Sequence, residues 1–201
     1  MRRPLFVVLF LLTIAIAVSA QRRERLIDTW RPTHYDVTIA FNDQLSEIAS
    51  ARTEINAVVM KDNVSVIDFD FGAMPIDSVM LDGQPARYER KPDQLKVFLP
   101  HTMKNGSKLS ITVAYHGRPK DGLILSNDRD GKPSATGDNW PNRVHQWIPC
   151  LDHPSAKATV TFNVTAPPRE SVVANGKFVT MTRNGAAPTF WKFEEAKAIP
   201  P

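Results

Sequence analysis

Short stretches in which apolar and polar residues alternate are the main structural signal along this chain. In the clearest stretch, Tyr35, Val37, Ile39 and Phe41 alternate with polar or small residues. This two-residue period is typical of a strand with one buried face. Similar short runs follow at 55–60, 64–71, 95–99, 109–115 and 160–164. Each of these runs predicts a strand.

Turn-forming pairs separate many of these runs, because glycine adopts positive φ at low cost. The pairs are Asp82-Gly83, Asn105-Gly106, Asp130-Gly131, Asn175-Gly176 and Asn184-Gly185. Past the first twenty residues, no eleven-residue window has apolar residues at helical spacing, and the 16 prolines would interrupt most helices. The sequence predicts an all-β fold, an antiparallel β-sandwich with room for one short helical turn.

The segment 127–141 differs from the rest because it is rich in Asp, Gly, Asn and Pro and has almost no apolar period before Trp140. This composition predicts a long loop. Long loops in compact domains are often functional, so the segment is a candidate edge of a binding surface.

The first twenty residues have the pattern of a secretory signal peptide. Two arginines precede the apolar run from Leu5 to Val18, and Val18-Ser19-Ala20 supplies the small residues of a cleavage site. The run is shorter than the roughly 20 residues of a spanning helix. Cleavage after Ala20 predicts a secreted chain that starts at Gln21 and keeps no membrane span; an uncleaved anchor is the alternative.

Charge and length then limit the function of the mature chain. Without Arg2 and Arg3, 23 basic residues stand against 21 acidic ones, so the net charge falls from +4 to +2. The remaining basic residues are scattered apart from Arg22, Arg23 and Arg25, which argues against a nucleic-acid partner. Residues 21–201 have the length of one domain.

The residues that could carry catalysis are dispersed. None of the five histidines begins an H-E-x-x-H motif, and no Gly-x-Ser-x-Gly elbow is present. The histidines are His34, His101, His116, His145 and His153. Cys150 and His153 have the spacing of half a metal site, but no second pair accompanies them. A lone cysteine between Ile148 and Leu151 is typical of a small core residue.

The segment 138–164 holds the densest mixture of residue types, DNWPNRVHQWIPCLDHPSAKATVTFNV. A proline turn at Asp152-His153-Pro154 fixes the direction of the chain, and Lys157 is placed to pair with Asp152. Taken by itself, the segment predicts a structural corner that leads back into a sheet.

This segment also resembles the signature of the N-terminal domain of the M1 zinc metallopeptidases, the aminopeptidase N and leukotriene A4 hydrolase group. The family pattern aromatic-Pro-Cys-x-Asp-x-Pro-x-x-Lys-Ala is similar to 148–158 here, with Pro149, Cys150, Asp152, Pro154 and Lys157 at the patterned positions. The stretches 31–37 and 173–176 resemble flanking parts of the same domain.

The resemblance implies a saddle-shaped antiparallel β domain followed by a zinc-binding catalytic domain. The family's Gly-x-Met-Glu-Asn and H-E-x-x-H motifs do not occur in this chain. We therefore expect no catalytic residue, no zinc and no other cofactor here, with a catalytic domain as partner and peptides as substrates of the whole enzyme. A family Gln that reaches toward the amino end of the peptide falls on Asp138, the candidate substrate-binding residue. Trp140 and His145 depart from the family pattern near it.

Two other functions compete with this one. A free-standing secreted β-sandwich could bind glycans or proteins on exposed aromatic residues such as Trp140 and Trp147. A cysteine hydrolase would need an accessible Cys150 thiol with a histidine in reach.

Overall fold

A computed structural model describes residues 27–183 and 185–201. The signal peptide predicted at 1–20 and the basic cluster at Arg22, Arg23 and Arg25 lie outside the described residues. Thirteen strands and one short 3-10 helix make up the described regular structure, which confirms the all-β prediction. No helix in this part of the chain is long and apolar enough to span a membrane.

The strands fall into three sheets. They are β1 (Trp30–Phe41), β2 (Ile48–Val59), β3 (Val64–Phe69), β4 (Ile76–Leu81), β5 (Gln84–Pro85), β6 (Tyr88–Lys91), β7 (Gln94–Met103), β8 (Lys108–Gly117), β9 (Leu123–Asn127), β10 (Pro133–Gly137), β11 (Ala158–Ala166), β12 (Lys177–Thr182) and β13 (Thr189–Ile199). The 3-10 helix spans Val144–Gln146. The large sheet has the order β12-β13-β11-β1-β2-β8-β4-β5, and the small sheets are β3-β7-β6 and β10-β9.

One ladder differs from the antiparallel prediction, because β1 and β11 pair in parallel. In this ladder His34 lies opposite Thr159, and its Nδ1 lies 2.7 Å from the Thr159 hydroxyl. Tight hairpin turns reverse the chain, so parallel strands need a long crossover between them. Here the crossover includes both small sheets and the 3-10 helix.

The hydrophobic core lies between the large sheet and the three-stranded sheet. Val37 and Ile39 of β1 are buried, whereas Thr38 between them faces the half-exposed outer side of the sheet. Aromatic contacts join the two layers: the rings of Trp30 and Phe69 lie 6.5 Å apart, and those of Phe71 and Tyr115 lie 5.0 Å apart, both edge to face. The alternation read from the sequence therefore marks the buried face correctly.

The prediction of a long loop at 127–141 is wrong, because most of this segment belongs to the hairpin β9–β10. Its turn is organised by Asp128, whose Oδ1 accepts hydrogen bonds from the backbone N–H groups of Asp130 and Lys132. Gly131 follows with φ +76°, which suits glycine. The polar composition reflects a short surface hairpin whose ladder hydrogen bonds require no apolar period.

Burial raises the pKa of two core tyrosines. Exclusion from water is the main cause for Tyr115, where a hydrogen bond with Thr53 acts in the opposite direction. Exclusion from water also dominates at Tyr35, where the nearby Cys150 raises the pKa further. The unfolded chain loses tyrosine protons near pH ~10, whereas the folded chain keeps these two to higher pH. Their contribution to stability is therefore complete below pH ~10 and is lost as the pH rises above it.

We expect the free energy of unfolding to fall above pH ~10, and the fall to be shallower in Tyr115→Phe, because that variant removes one buried group that must ionise on unfolding. Urea titrations at a series of pH values up to pH ~11.5 measure this slope. Tyr88→Phe is the matched control, since Tyr88 is exposed. Equal slopes for Tyr115→Phe and Tyr88→Phe would contradict the assignment.

Candidate functional site

The segment that carries the sequence signature crosses the core beneath β1. Cys150 forms an isolated antiparallel bridge with Asp70, in which each backbone N–H donates to the other residue's carbonyl at 2.8 and 3.0 Å. The backbone N–H of Leu151 donates to the Tyr35 hydroxyl at 3.1 Å. These bonds connect the segment to the end of β3 and to the middle of β1.

A buried acid and histidine lie at the centre of this segment. Asp152 Oδ2 is 2.6 Å from His145 Nδ1 and also accepts the backbone N–H of His145 at 3.2 Å. The backbone N–H of Asp152 donates to Asp70 Oδ2 at 3.0 Å. His145 Nδ1 faces the carboxylate, and Nε2 lies 2.6 Å from the side-chain nitrogen of Gln146. The ring and the backbone of His145 thus both contact Oδ2 of a carboxylate that has little access to water.

The predicted pairing of Lys157 with Asp152 is wrong, because His145 occupies that position and Lys157 is exposed. Pro149 is buried just before the bridge, whereas Pro154 is exposed as the second residue of a turn. In that turn the backbone N–H of Ala156 donates to the carbonyl of His153 at 2.9 Å. The signature residues thus lie along one corner, with Pro149, Cys150 and Asp152 inside it and Pro154 and Lys157 outside.

Gly72 lets the 3-10 helix lie close against the end of β3. Its backbone N–H donates to the carbonyl of His145 at 2.7 Å. A Cβ added to Gly72 would lie 2.7 Å from Gln146 Oε1 and 2.9 Å from Gln146 Cα. The Gln146 amide also donates to Asp93 Oδ1 at 3.0 Å. The helix is therefore connected to the three-stranded sheet at two places, just after β3 and at the turn between β6 and β7.

Asp138, the candidate substrate-binding residue, immediately follows β10 at the surface. Its Oδ2 lies 2.7 Å from Arg143 Nη2, and Arg143 Nη1 lies 3.3 Å from Asp121 Oδ1. The backbone N–H of Asp138 donates to the carbonyl of Gly122 at 2.7 Å. The Asp138 side chain is 47% exposed. It is held in position by an arginine and still faces solvent.

A groove opens beside Asp138, between the β9–β10 hairpin and the segment 170–175. Its volume is about 490 Å³. The floor is apolar and is contributed by β1 and β11, with Ile39, Phe162 and Val164 among its residues. An adjoining cavity of about 140 Å³ is lined by Cys150, Trp147 and residues 199–201. Sequence reasoning missed the groove, because its walls come from segments that lie far apart along the chain.

The aromatic platform that the binding-module hypothesis requires is absent from this surface of the described chain. Trp140 is 78% exposed, but Trp147 is 8% exposed and its indole N–H donates to Asn139 Oδ1 at 3.0 Å. The two rings therefore do not form a shared exposed surface.

The cysteine-hydrolase hypothesis fails on access. Cys150 is 1% exposed, whereas a nucleophilic thiol must be reached by its substrate. His145 Nδ1 is already engaged by Asp152.

The histidines stay dispersed in the folded chain. His116 lies 2.8 Å from Asp77, and His153 lies 2.7 Å from the Ser155 hydroxyl, whereas His145 is buried. Within 27–183 and 185–201, no group of three or more His, Cys, Asp or Glu residues is arranged to hold a metal ion.

The comparisons with known proteins agree with one another on the family of this chain. The family model for the peptidase M1 N-terminal domain matches residues 31–200. The chain is similar to probable aminopeptidase 1 of Sulfurisphaera tokodaii, with 23% identity over 156 residues, 75% of this chain and 18% of that protein. It is also similar to tricorn protease-interacting factor F2 of Thermoplasma acidophilum, with 29% identity over 115 residues, 54% of this chain and 14% of that protein.

Solved structures with the same fold include M1 zinc metallopeptidases from Deinococcus radiodurans. One is similar with a TM-score of 0.74 and 23% identity, covering 86% of this chain and 40% of the other. A mutant of that enzyme bound to a Tyr-Ser-Ala substrate gives a TM-score of 0.74 and 22% identity over the same shares. The chain thus spans under a fifth of the curated relatives and two fifths of the solved ones.

The close approach at Gly72 leads to a stability prediction. Gly72→Ala should lower the free energy of unfolding by about 1–3 kcal/mol, because the new methyl group meets the backbone of Gln146 as well as its side chain. Urea unfolding measures the change.

Gly137→Ala is the matched control, since its added Cβ would meet only ordinary contact, 3.9 Å from the Trp147 ring. If both variants were equally stable, the packing of the 3-10 helix described above would be incorrect.

Proposed function

The chain belongs to the peptidase M1 N-terminal domain family, and from this premise we propose that it serves as the N-terminal domain of a secreted zinc aminopeptidase, where it forms one wall of the pocket for the peptide's amino end. The apolar run Leu5 to Val18 and the small residues before Gln21 support export. In this proposal the zinc and its ligands belong to a catalytic domain, which the chain joins as a partner.

The position of Asp138 is the observation that carries the pocket-wall proposal. Asp138 lies between two groove-lining residues, and its half-exposed carboxylate is suited to bind the α-ammonium group of a peptide by charge-assisted hydrogen bonds. A carboxylate can accept several hydrogen bonds, so Arg143 and an ammonium group can share it. Arg143 also contacts Asp121, so its positive charge is divided between two acids and does not cancel Asp138 alone.

The groove supports the same role through its chemistry. Gly137 and Asn139 flank Asp138 in sequence, and both line the groove, whose floor is apolar. A carboxylate beside the groove and apolar residues within it match the two parts of a peptide's first residue, the ammonium group and the side chain.

We expect the purified chain, with its N-terminus placed at Gln21 by mass spectrometry, to release no chromophore from a panel of aminoacyl substrates, with or without added zinc. The physical reason is that zinc hydrolysis needs a cluster of protein ligands around the ion. The D. radiodurans M1 zinc metallopeptidase is the positive control in the same assay. Zinc-dependent turnover by this chain would contradict the proposal that the zinc and its ligands belong to a catalytic domain.

The role of Asp138 can be tested in a fusion chain in which residues 31–200 replace the matching part of the D. radiodurans enzyme. We expect Asp138→Asn to raise KM for aminoacyl substrates about tenfold or more with little change in kcat. The reason is that the variant removes an ammonium interaction of equal strength in the ground and transition states, which weakens binding without slowing the chemical step.

Asp121→Asn is the matched control in the same fusion chain. It removes one acidic partner of Arg143, as Asp138→Asn does, but leaves the carboxylate beside the groove in place. The same rise in KM for both variants would show that Asp138 acts through Arg143, and an unchanged KM in Asp138→Asn would exclude the ammonium contact.

A further inference from the structure

The inner face of the large sheet continues beyond the hydrophobic core to the edge strand β12. Directly paired residues on neighbouring strands point to the same side of a sheet. Phe178 of β12 pairs with Phe193, which pairs with Phe162 of β11. Phe162 in turn lies opposite Val37 of β1, a core residue. The register therefore places Phe178 on the core side of the sheet.

The next row of inward-facing residues along these strands is also apolar. Met181 of β12 pairs with Trp191, which pairs with Val164, and Val164 lies opposite the buried Ile39. Toward the sheet centre these rows are covered, with Phe193 6% and Val164 7% exposed. Toward the edge the cover ends, and Phe178 is 49% and Met181 40% exposed.

We call Phe178, Met181, Trp191 and Phe162 the open apolar face. Aromatic packing orders this face: the Phe178 ring lies 6.4 Å from the Trp191 ring and 5.6 Å from the ring of the buried Phe193. The open apolar face is thus an ordered aromatic surface. Contiguous apolar surface of this kind marks a site of protein interaction.

The open apolar face is continuous with the groove described above. Phe162 and Val164 lie on the groove floor, and they belong to the same two rows as Phe178 and Met181. Val173, which is 91% exposed, lines the groove as well. The apolar surface therefore runs from the groove beside Asp138 to the β12 edge.

The outer face of the same sheet region is different. Thr180 of β12 pairs with Lys192, whose Nζ lies 2.7 Å from Glu194, and Lys192 pairs with Asn163. The Asn163 amide donates to Asp36 at 3.0 Å. A polar face with such pairs is suited to solvent. Only the inner face in this part of the sheet exposes apolar residues that another protein surface could cover.

From this asymmetry we infer that the open apolar face is the surface on which the catalytic domain of an M1-type enzyme packs. The inference rests on the proposed function. The solved relatives supply the reason for choosing this occupant: the chain spans 40% of their length, so the larger part of such an enzyme lies outside this fold. Domain interfaces bury apolar surface at their centres and keep polar residues at their rims.

A second copy of the chain is a poorer fit to this edge. The register shifts between Phe178 and Thr180, so a bulge interrupts the hydrogen-bonding edge that another β12 would need. Antiparallel pairing of two β12 strands about Thr180 would also place Lys177 opposite Arg183.

Cysteine labelling tests the inference, because the single native cysteine is buried and gives a low background. Met181→Cys places a thiol on the open apolar face, and Thr180→Cys places one on the outer face of the same strand. Positions 180 and 181 are both exposed, so the labelling rates report how accessible each thiol is and do not depend on unfolding. Phe178→Cys is a second reporter of the inner face. Maleimide labelling rates are measured in the isolated chain and in the fusion chain.

We expect both thiols to react rapidly in the isolated chain at all protein concentrations. In the fusion chain, labelling at position 181 should slow at least tenfold, while labelling at position 180 should change less than threefold. Protection at 181 without aminopeptidase turnover would support the docking surface and reject the proposed function. Turnover with unchanged labelling at both 181 and 178 would overturn the docking surface and leave the proposed function standing.

A labelling rate at 181 that falls with rising concentration of the isolated chain would identify a second copy as the occupant and would overturn the inference.

Discussion

The buried carboxylate of Asp152 is the group around which the crossover between the two halves of the large sheet is organised. A carboxylate removed from water is tolerated when hydrogen-bond donors surround it, and here both the ring and the backbone of His145 donate to it. Meeting that requirement fixes the 3-10 helix, the bridge between Cys150 and Asp70, and the entry of the chain into β11. Replacing either side chain alone would remove one hydrogen bond from a buried polar group, which costs free energy of folding.

Local features of the sequence predict the parts of the fold that local physics determines. The alternation from Tyr35 to Phe41 predicts β1, because one face of that strand is buried along its length. Asp82-Gly83 predicts the turn after β4, where both residues have positive φ. The short exposed strands β10 and β12 show no such period, because their residues are largely exposed and their formation depends on a neighbouring strand.

The candidate site depends more strongly on contacts between distant segments. The repeated acid-aromatic pattern from Asp68 to Phe71 hints that an acid enters the core, but its pairing with Cys150 appears only in the fold. His145 and Asp152 lie seven residues apart, a spacing with no regular meaning outside a helix or strand. The proline turn at 152–154 predicts the corner locally. The contacts of Arg143 with both Asp138 and Asp121 cannot be predicted in this way, because they form only when the β9–β10 hairpin brings these segments together.

The parallel ladder between β1 and β11 also determines when the domain can be completed during synthesis. Its paired residues lie 125 positions apart, as His34 and Thr159 do. A ribosome releases the chain from its N-terminus, so β1 can pair with β2 long before β11 exists. The edge of β1 that receives β11 stays unpaired until residues 158–166 have been synthesised, and contacts of such separation slow folding. A nascent chain of this protein therefore exposes one unpaired edge of β1 until β11 has emerged from the ribosome.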